Sequence, residues 1–433
     1  MIKKALENLK IQELNEIQHA SLNVVNERDM ILLSPTGSGK TLGFLLPVLK
    51  LLREEIPGVQ ALILVPSREL ALQIEQVFRT IGSGFKVNCC YGGHDTKIEK
   101  NNFSQPPAVL IGTPGRIAWH LRRESFKTDK ILTLVLDEFD KALEFGFQED
   151  MDYIIRQLTV LKKRILTSAT KMDDIPDFVR INNPIELNFL DKDTSASGLK
   201  LKAVIADAAD RLDALFALIC RIGNKATLVF CNHREAVERI SELLLEKGVI
   251  HDVFHGGMEQ PDREKALIKF RNGSSQLLIT TDLASRGLDI PEIEFIIHYQ
   301  LPHTKEAFLH RNGRTARMHA NGTAYLLLSP DQHPDFLGNV PEIEKLPGKI
   351  VLPKSTKWAT LYIAAGKKDK INKVDIVGLL LQKGKLNKQE LGLIEVLDYS
   401  SYAAVDKKSV TKTVELVRNE KIKNKKIKIE IAR

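Results

Sequence analysis

Short apolar runs separated by amphipathic segments dominate the first three quarters of the chain. Such runs suit strands that are buried on both faces of a parallel sheet. Five of them occur before residue 190, at Met30–Leu33, Ala61–Val65, Ala108–Ile111, Leu132–Leu136 and Arg164–Thr167. Four more follow residue 199, at Thr227–Cys231, Leu277–Thr281, Phe295–Tyr299 and Thr323–Leu328. The alternation predicts an α/β fold with two tandem parallel-sheet domains.

The predicted domain boundaries follow changes in this pattern. A polar stretch at 191–198 predicts a linker between a first domain over 1–190 and a second over 199–335. A proline-containing connector occupies 336–356, and a third domain occupies 357–433. In the third domain we predict strands over 358–366, 392–399, 402–405 and 425–431, and helices over 373–383 and 409–420. This βαββαβ order predicts a small split-βαβ sheet with one face free to receive bases.

Positive charge is concentrated in the third domain. Residues 357–433 carry 18 Lys and Arg against 9 Asp and Glu, whereas the whole chain of 433 residues has a net charge of +8. Such a module favours a polyanionic partner, most often nucleic acid, and a lysine-rich solvated surface is the alternative. With no signal-peptide pattern and no apolar run of about 18 residues, we expect a cytoplasmic protein without a membrane partner. The four cysteines lack zinc-site spacing and are expected to be reduced thiols.

The segment Ser-Pro-Thr-Gly-Ser-Gly-Lys-Thr follows the first predicted strand and precedes a helical stretch. This context suits a phosphate-binding loop, because glycines let backbone N–H groups point at phosphate oxygens near a helix N-terminus. The lysine would neutralise phosphate charge, and the last threonine hydroxyl would hold Mg²⁺. The strict pattern has glycine at the first position, where this chain has serine. The predicted nucleotide cradle comprises Ser34, Thr36, Gly37, Ser38, Gly39, Lys40 and Thr41.

Two carboxylates follow the run Leu132–Leu136. In a sheet that carries a phosphate loop, Asp137 is placed to orient a hydrated Mg²⁺ and Glu138 to polarise the attacking water. Acidic residues after a strand also serve as helix N-caps, which is the alternative for this pair. The upstream phosphate loop favours the catalytic interpretation.

Three arginines, Arg311, Arg314 and Arg317, fall within seven residues near the end of the second domain. Arg314 and Arg317 are typical of arginine fingers, which supply planar positive charge to a γ-phosphoryl group. An arginine-rich face that binds nucleic-acid backbone is the alternative. Lys40 and Arg314 lie 274 residues apart, so a triphosphate that both contact would be bound between two domains.

Further segments occur in order between these two sites, and together they resemble the DEAD-box family of ATP-dependent RNA helicases across residues 11–330. Each segment is weakly specific alone, but their number and order make the resemblance specific. It implies two tandem RecA-like domains that use ATP and Mg²⁺ and bind RNA. The further segments are Pro66–Ala71, Gly92–Gly93, Thr113–Arg116, Ser168–Thr170 and Thr281–Asp289, and they join the phosphate loop, Asp137–Asp140 and His310–Arg317.

The resemblance also implies roles for individual side chains. Asp289 would contact the ribose of ATP. Ser168 and Thr170 would link hydrolysis to RNA binding, and His310 would couple the two arginine fingers to Asp140. RNA-backbone contacts are implied at Arg68, Gly93, Thr113 and Arg116 of the first domain and at Gln260, Arg263, Thr281 and Arg286 of the second.

The adenine-reading segment departs most from the family pattern. Gln18 is present and would contact the adenine, but Ile11 stands where the family has an aromatic residue. The proline-threonine-proline that usually precedes the glutamine is missing. Phe139 replaces the usual alanine of the acidic tetrad, and Ala316 replaces the glycine before Arg317. Because both catalytic acids are intact, we expect ATP hydrolysis to be retained. Because the adenine-reading segment is altered, we expect selectivity for adenine to be looser than is usual for the family.

The third domain resembles the RNA-binding domain of DbpA-type bacterial helicases through residues 368–378 and 392–396. In that group the domain recognises a hairpin of ribosomal RNA near the peptidyl-transferase centre, and the helicase assists large-subunit assembly. RNA-recognition sheets stack bases on aromatic side chains. Packing at the edge of the core is the alternative for each tyrosine. The candidates here are Tyr362, Tyr399 and Tyr402, flanked by Lys421, Lys423, Lys425, Lys426 and Lys428.

The expected activity is therefore ATP-dependent local unwinding of short RNA duplexes. The resemblance implies action on 23S rRNA within a pre-ribosomal particle, and we expect a monomer. An ATP-dependent RNA clamp or assembly scaffold without productive unwinding has the same motifs and is the alternative. A duplex-DNA translocase is disfavoured by the segments Thr113–Arg116 and Ser168–Thr170.

Overall fold

A computed structural model describes residues 2–432 apart from positions 27, 36, 94, 95, 173, 191–198, 208, 286–292, 316–321, 333, 338–340, 347, 349 and 424. The described residues form two compact units. One unit holds the first sheet, and the other holds the second sheet together with the small C-terminal sheet. None of the described helices is both long enough and apolar enough to cross a lipid bilayer.

The first unit is an α/β sheet with flanking helices. Its described strands are β1 Met30–Leu33, β2 Ala61–Leu64, β3 Val87–Cys90, β4 Val109–Gly112, β5 Thr133–Leu136, β6 Lys163–Ser168 and β7 Ile185–Asn188. They all pair in parallel, in the order β3-β4-β2-β5-β6-β1-β7. The helices are α1 Ile2–Leu9, α2 Glu16–Asn23, α3 Lys40–Leu51, α4 Arg68–Ile81, α5 Thr96–Phe103, α6 Pro114–Leu121, α7 Phe139–Glu144 and α8 Gln148–Gln157.

Apolar side chains cover both faces of this sheet. The strands β1, β2, β4 and β5 are buried along their whole length, which is why each one is an unbroken apolar run in the sequence. Phe44 of α3 and Phe78 of α4 pack on one face, and Ile117 of α6 and Ile154 of α8 pack on the other. Polar functional side chains are therefore found mainly in the segments that follow the strands.

The second sheet repeats this architecture. Its described strands are β8 Leu199–Ile205, β9 Thr227–Phe230, β10 Asp252–Phe254, β11 Leu277–Thr280, β12 Phe295–His298, β13 Gly322–Leu328 and β14 Glu342–Ile343. They pair in parallel in the order β10-β11-β9-β12-β13-β8-β14. The helices are α9 Arg211–Ile222, α10 Arg234–Glu246, α11 Gln260–Arg271 and α12 Lys305–Asn312. The predicted α/β class with two tandem parallel-sheet domains is confirmed.

The C-terminal sheet is small and antiparallel. Its strands β15 Trp358–Ile363, β16 Leu391–Val396, β17 Ser401–Asp406 and β20 Ile429–Ile431 pair in the order β16-β17-β15-β20. A separate hairpin joins β18 Lys421–Ile422 to β19 Lys425–Lys426. The helices α13 Lys373–Gly378, which continues as a π-helix over Leu379–Lys383, and α14 Val410–Val417 pack on one face. The predicted βαββαβ order is confirmed, and the single strand expected over 425–431 is instead divided between the hairpin and the sheet.

The other face of this small sheet packs on α11 and the turn after it. Cross-strand pairing places Tyr402 and Glu395 on that face. Arg271 donates two hydrogen bonds to the Glu395 carboxylate, at 2.9 and 2.6 Å. Asn272 Nδ2 donates to Thr360 Oγ1 at 2.9 Å, and both residues are buried. The expectation that this face is free to receive bases is wrong, because Glu395 and Thr360 on this face bond to Arg271 and Asn272 of the second domain.

Candidate functional site

The predicted phosphate loop lies between β1 and α3. Gly37 and Gly39 have φ angles of 82° and 92°, in the left-handed region that favours glycine. Lys40 is the first residue of α3, and its Nζ donates to the Ser34 carbonyl oxygen at 2.7 Å. The hydroxyls of Ser34 and Ser38 are 2.9 Å apart, so the serine at the first position of the motif bonds within the loop. The loop folds around its own lysine and presents a helix N-terminus to an anion.

Gln18 connects α2 to this loop. Its backbone N–H donates to Asn15 Oδ1 and its side-chain oxygen accepts from the Asn15 N–H, both at 3.0 Å, which forms a capping box. Asn15 Nδ2 also donates to the Ser38 carbonyl oxygen at 2.8 Å. A Cβ on Gly39 would lie 2.8 Å from the amide nitrogens of both Asn15 and Gln18. Ile11 packs against the first core. Gln18 thus has a structural role, and its contact with adenine stays a prediction.

Asp137 follows β5 and is 4% exposed. Burial raises the pKa of its carboxyl group, and the hydrogen bond from Thr167 and the positive charge of Lys40 oppose that rise. The hydroxyl of Thr41, next to Lys40 in the chain, adds an oxygen donor of the kind that Mg²⁺ prefers. A buried carboxylate with an energetic cost of ionisation fits a cation that would offset this cost. The residues present therefore fit a magnesium site.

The acidic segment continues into α7. Glu138 has a φ of 48°, and its backbone N–H donates to Thr167 Oγ1 at 3.2 Å, while its side chain does not cap the helix. Non-glycine residues in this left-handed region cluster at functional sites. Thr170 Oγ1 donates to Asp140 Oδ2 at 3.2 Å, which links the tetrad to the Ser168–Thr170 segment. Phe139 is fully buried in the core beside α8, so the unusual residue of the tetrad serves packing.

The RNA-contact candidates of the first domain follow β2, β3 and β4. Arg68 starts α4, and its guanidinium packs against Gly93 so closely that a Cβ there would lie 3.0 Å from Nη2. Gly93 has a φ of 83°, which suits its lack of a side chain. Thr113 is the N-cap residue of α6, and its N–H donates to the Cys90 carbonyl oxygen at 3.1 Å. Since all these strands are parallel, the candidates share one edge of the sheet.

A buried carboxylate that sequence reasoning missed fixes the fourth candidate, Arg116. Glu99 is fully buried, accepts from Arg116 Nε at 2.7 Å and lies 2.6 Å from His120 Nε2. Ligand atoms of Cys90, Glu99 and His120 lie within 4.8 Å of one another. Because the Arg116 guanidinium already balances the Glu99 charge, the cluster is an ion-pair network that orients Arg116. The only sequence signal was an acidic residue in a polar helix.

The arginine-rich segment of the second domain contains one arginine with a structural role. Arg311 is fully buried and donates to Asp282 at 2.6 and 3.1 Å, to Asn232 Oδ1 at 2.8 Å and to the Gln300 carbonyl oxygen at 2.7 Å. Arg314, predicted as an arginine finger, is 3% exposed. Its role toward a nucleotide stays a prediction.

The RNA-contact candidates of the second domain lie at the start of α11 and after β11. Gln260 Nε2 donates to Glu264 Oε1 at 2.8 Å, and Arg263 is buried one turn further on. Thr281 is half-buried directly after β11. Four predicted site residues lie outside the residues that the structure describes: Thr36, Arg286, Asp289 and Arg317.

The RNA-contact candidates of the C-terminal domain differ in accessibility. Tyr399 is 59% exposed between β16 and β17, whereas Tyr402 is 4% exposed. Burial raises the pKa of Tyr402 to about 12. Lys423 and Lys425 are exposed and pair with Asp375 and Asp369, at 2.8 and 3.2 Å. Tyr399 and the two lysines are therefore accessible to a ligand, and Tyr402 is not.

Comparisons with known proteins agree with this site. The DEAD/DEAH box helicase model matches residues 15–178, the helicase conserved C-terminal domain matches residues 210–319, and the DbpA RNA binding domain matches residues 360–431. ATP-dependent RNA helicase DbpA of Bacillus subtilis is 29% identical over 100% of this chain and 97% of its own length. ATP-dependent RNA helicase eIF4A of Candida albicans is 34% identical over 76% of this chain and 83% of its own.

A solved structure supports the same assignment. Dbp5 of S. cerevisiae, bound to RNA and ADP BeF3, has a TM-score of 0.70 at 27% identity, and the match covers 77% of this chain and 88% of that one. The chain belongs to the DEAD-box family of ATP-dependent RNA helicases, with two RecA-like domains. Within that family it is of the DbpA type, since the C-terminal RNA-binding domain and the full-length relative both match. It is an RNA-dependent ATPase that binds RNA.

Proposed function

We propose that this helicase uses ATP hydrolysis to separate short RNA duplexes locally. One observation carries the proposal: the phosphate, magnesium and RNA candidates of the first domain follow the carboxyl ends of parallel strands in one sheet. The ATP candidates follow β1 and β5, and the RNA candidates follow β2, β3 and β4. Ligands of open α/β sheets bind at this edge. A single rigid sheet can therefore couple the state of the nucleotide to the contacts with RNA.

For the nucleotide, we assign the phosphates to the loop Ser34–Thr41, with Lys40 neutralising their charge. Thr41 and Asp137 would hold Mg²⁺, which when bound neutralises charge on phosphoryl oxygens. Glu138 would orient the attacking water and accept its proton. From the second domain, we assign Arg314 and Arg317 to the γ-phosphoryl group and Asp289 to the ribose. RNA-backbone contacts are assigned to Arg68, Gly93, Thr113, Arg116, Gln260, Arg263, Thr281 and Arg286.

The catalytic assignment is tested with Lys40→Ala and Glu138→Gln. Each change should lower RNA-stimulated ATP turnover by about 100-fold or more, because each removes a group that acts on the reacting phosphate or water. Glu149→Gln, an exposed acid at the start of α8, is the matched control and should leave turnover unchanged. Undiminished turnover in both active-site variants would overturn the assignment.

Unwinding is distinguished from clamping by a strand-displacement assay on a short tailed duplex. A helicase should release the labelled strand with ATP and retain it without ATP. The rival function, an ATP-dependent RNA clamp or scaffold, should bind the duplex in both conditions and release no strand. Glu138→Gln, which is expected to bind both ligands, is the control for binding without turnover.

We further propose that the RNA is 23S rRNA, bound by a monomer in the cytoplasm within a large-subunit precursor particle. The match of residues 360–431 to the DbpA RNA binding domain supports this proposal. So do the accessible Tyr399, Lys423 and Lys425, which together offer a stacking surface and positive charge.

The rRNA proposal is tested by comparing ATPase stimulation by a 23S rRNA fragment and by unrelated RNA of equal length. The intact protein should respond at about 10-fold lower concentration of the rRNA fragment, since a specific contact is added to backbone binding. Lys423→Gln with Lys425→Gln should reduce that preference, and the exposed pair Lys3→Gln with Lys4→Gln is the charge-matched control. Equal stimulation of the intact protein by both RNAs would refute the rRNA role.

A further inference from the structure

A tryptophan of the first domain lies between two arginines, beside the predicted RNA contacts. Arg116, Trp119 and Arg123 are spaced i, i+3, i+7 and form one stripe along α6 and the turn after it. The Cζ atom of Arg116 is 4.9 Å from the centroid of the Trp119 ring, and that of Arg123 is 4.0 Å from it. Both distances are within the range of cation–π interactions. Trp119 and Arg123 therefore lie directly beside Arg116, which we assign to a contact with the RNA backbone.

The two arginines are held in different ways. Arg116 is fixed by the buried Glu99, and its side chain is 12% exposed. Arg123 is exposed, and among the described residues its side chain has no ionic partner and rests on the indole. The half-buried indole is supported from within by His120, whose ring lies 4.9 Å away in an edge-on arrangement. The Trp119 ring thus packs on His120 on its inner side, and the Arg123 guanidinium that covers it has no ionic partner among the described residues.

We propose that Trp119 and Arg123 form a stacking site for one nucleobase of the RNA strand whose backbone contacts Arg116. The proposal rests on the assignment of Arg116 to RNA made above. A cation–π contact at an exposed position is weaker than the stacking of a base on an aromatic ring. The base therefore takes the place of the Arg123 guanidinium on the indole, and the guanidinium turns to a neighbouring phosphate. A purine, with the larger ring, binds better than a pyrimidine.

The stacking site adds base dependence to a domain whose other assigned contacts are with the RNA backbone. Contacts with the backbone position RNA without reading its bases. A single stacked base does not read a sequence by hydrogen bonding, but it favours purines through stacking strength. The first domain should therefore bind purine-rich single strands in preference to pyrimidine-rich ones.

The chain has two tryptophans, Trp119 and Trp358, which makes the site directly observable. In full-length protein carrying Trp358→Phe, Trp119 is the sole fluorescent indole. We expect oligoadenylate to quench this fluorescence, since stacking brings the base onto the ring. An abasic ribose-phosphate strand of equal length, whose binding is followed by anisotropy, should bind without quenching.

Affinity measurements separate stacking from a merely structural role of the ring. Trp119→Ala should weaken binding of oligoadenylate by about 5- to 100-fold and leave the abasic strand unchanged. Trp119→Phe should retain most of the affinity. Arg123→Gln should weaken both strands slightly more than the control Lys127→Gln, an exposed cation on the same domain. If Trp119→Ala weakens both strands equally, or if oligoadenylate causes no quenching, the stacking site is refuted. If the abasic strand fails to bind even the parent protein, the assignment of RNA-backbone contacts fails instead.

Discussion

Asp137 and Arg311 are both charged and buried, one in each unit, but their surroundings differ. Arg311 is enclosed by two bonds to a carboxylate, a bond to an amide and a bond to a carbonyl, and it lies over the Phe230 ring at 5.2 Å. The carboxyl of Asp137 has a raised pKa because burial outweighs its hydrogen bond with Thr167 and the charge of Lys40. The hydrogen bonds and ion pair of Arg311 therefore offset the cost of burying its charge, whereas the partners of Asp137 do not offset that cost.

The difference shows how the surroundings of a buried charge in a sequence motif separate a structural role from a functional one. A buried charge with a complete set of partners stabilises the fold around it, and removing one partner is costly. A buried charge that is costly to ionise is retained for another reason, and such residues cluster at functional sites. By this criterion Arg311 has a structural role in the second domain, whereas the surroundings of Asp137 fit the cation site proposed above.

The largest effect is expected for Arg311→Met. The change leaves the Gln300 carbonyl oxygen and the Asn232 side-chain oxygen without their donor, and it should destabilise the second unit by about 2–5 kcal/mol. Urea unfolding followed by Trp358 fluorescence, in a chain carrying Trp119→Phe, would report this unit separately. Arg239→Met, an exposed arginine on α10, is the matched control and should change stability by less than about 0.5 kcal/mol. Equal losses in the two variants would remove the distinction between Arg311 and an ordinary surface arginine.

Asp137→Asn should have a smaller effect of the opposite sign. At neutral pH the amide avoids the cost of burying a charge, so the first unit should gain about 1–3 kcal/mol while ATP turnover is lost. Because burial raises the folded-state pKa above the unfolded value, the wild type gains stability as the pH falls through that folded-state pKa. The advantage of the variant should therefore shrink on acidification. Unfolding followed by Trp119 fluorescence measures it, and a destabilised variant at pH 7 would contradict the comparison.

The smallest effect is expected for His298, a buried neutral histidine near Arg311, and it concerns the pH dependence of stability. Burial, together with the charge of Arg311, lowers the pKa of His298 to about 3, and its Nε2 lies 2.9 Å from Asn312 Oδ1. The unfolded chain takes up a proton near the ordinary pKa and the folded one does not, so stability is lost as the pH falls below about 6.5. Between pH 7.5 and 6, the wild type should lose about 0.8 kcal/mol more than His298→Gln. Parallel pH profiles of the two proteins would contradict the assignment of a neutral His298.

Sequence periodicity was sufficient for the central strands and insufficient at the sheet edges. β1, β2, β4 and β5 are buried on both faces and therefore appear as apolar runs. The edge strand β7, Ile-Glu-Leu-Asn, alternates between half-buried and exposed residues, and β8, next to the edge strand β14, is half-buried or exposed at five of its seven positions. Neither matched the apolar pattern, and neither was predicted as a strand. Such strands at or near a sheet edge can be identified only from the strands they pair with, and those strands are distant in the sequence.

The site shows the same division. The phosphate loop and the acidic tetrad are recognisable because their function depends on neighbours in sequence. The Glu99–Arg116 pair spans 17 positions and the Asn272–Thr360 bond spans 88, so neither has a local signature. The tyrosines of the C-terminal sheet could be chosen by residue type, but only the structure shows that Tyr402 is buried on the face that packs on α11 and that Tyr399 is exposed.

The two ends of α11 lie at different parts of the predicted RNA-binding surface. Its first turn carries the predicted RNA contacts Gln260 and Arg263, and its last residue, Arg271, is bonded to the C-terminal RNA-binding domain. The helix has 12 residues and is therefore about 18 Å long. With the RNA contacts proposed above, a rigid element of that length would set a fixed spacing between RNA bound at Gln260 and Arg263 and RNA bound by the C-terminal domain. An RNA would then be selected by the distance between its two bound segments as well as by its base sequence.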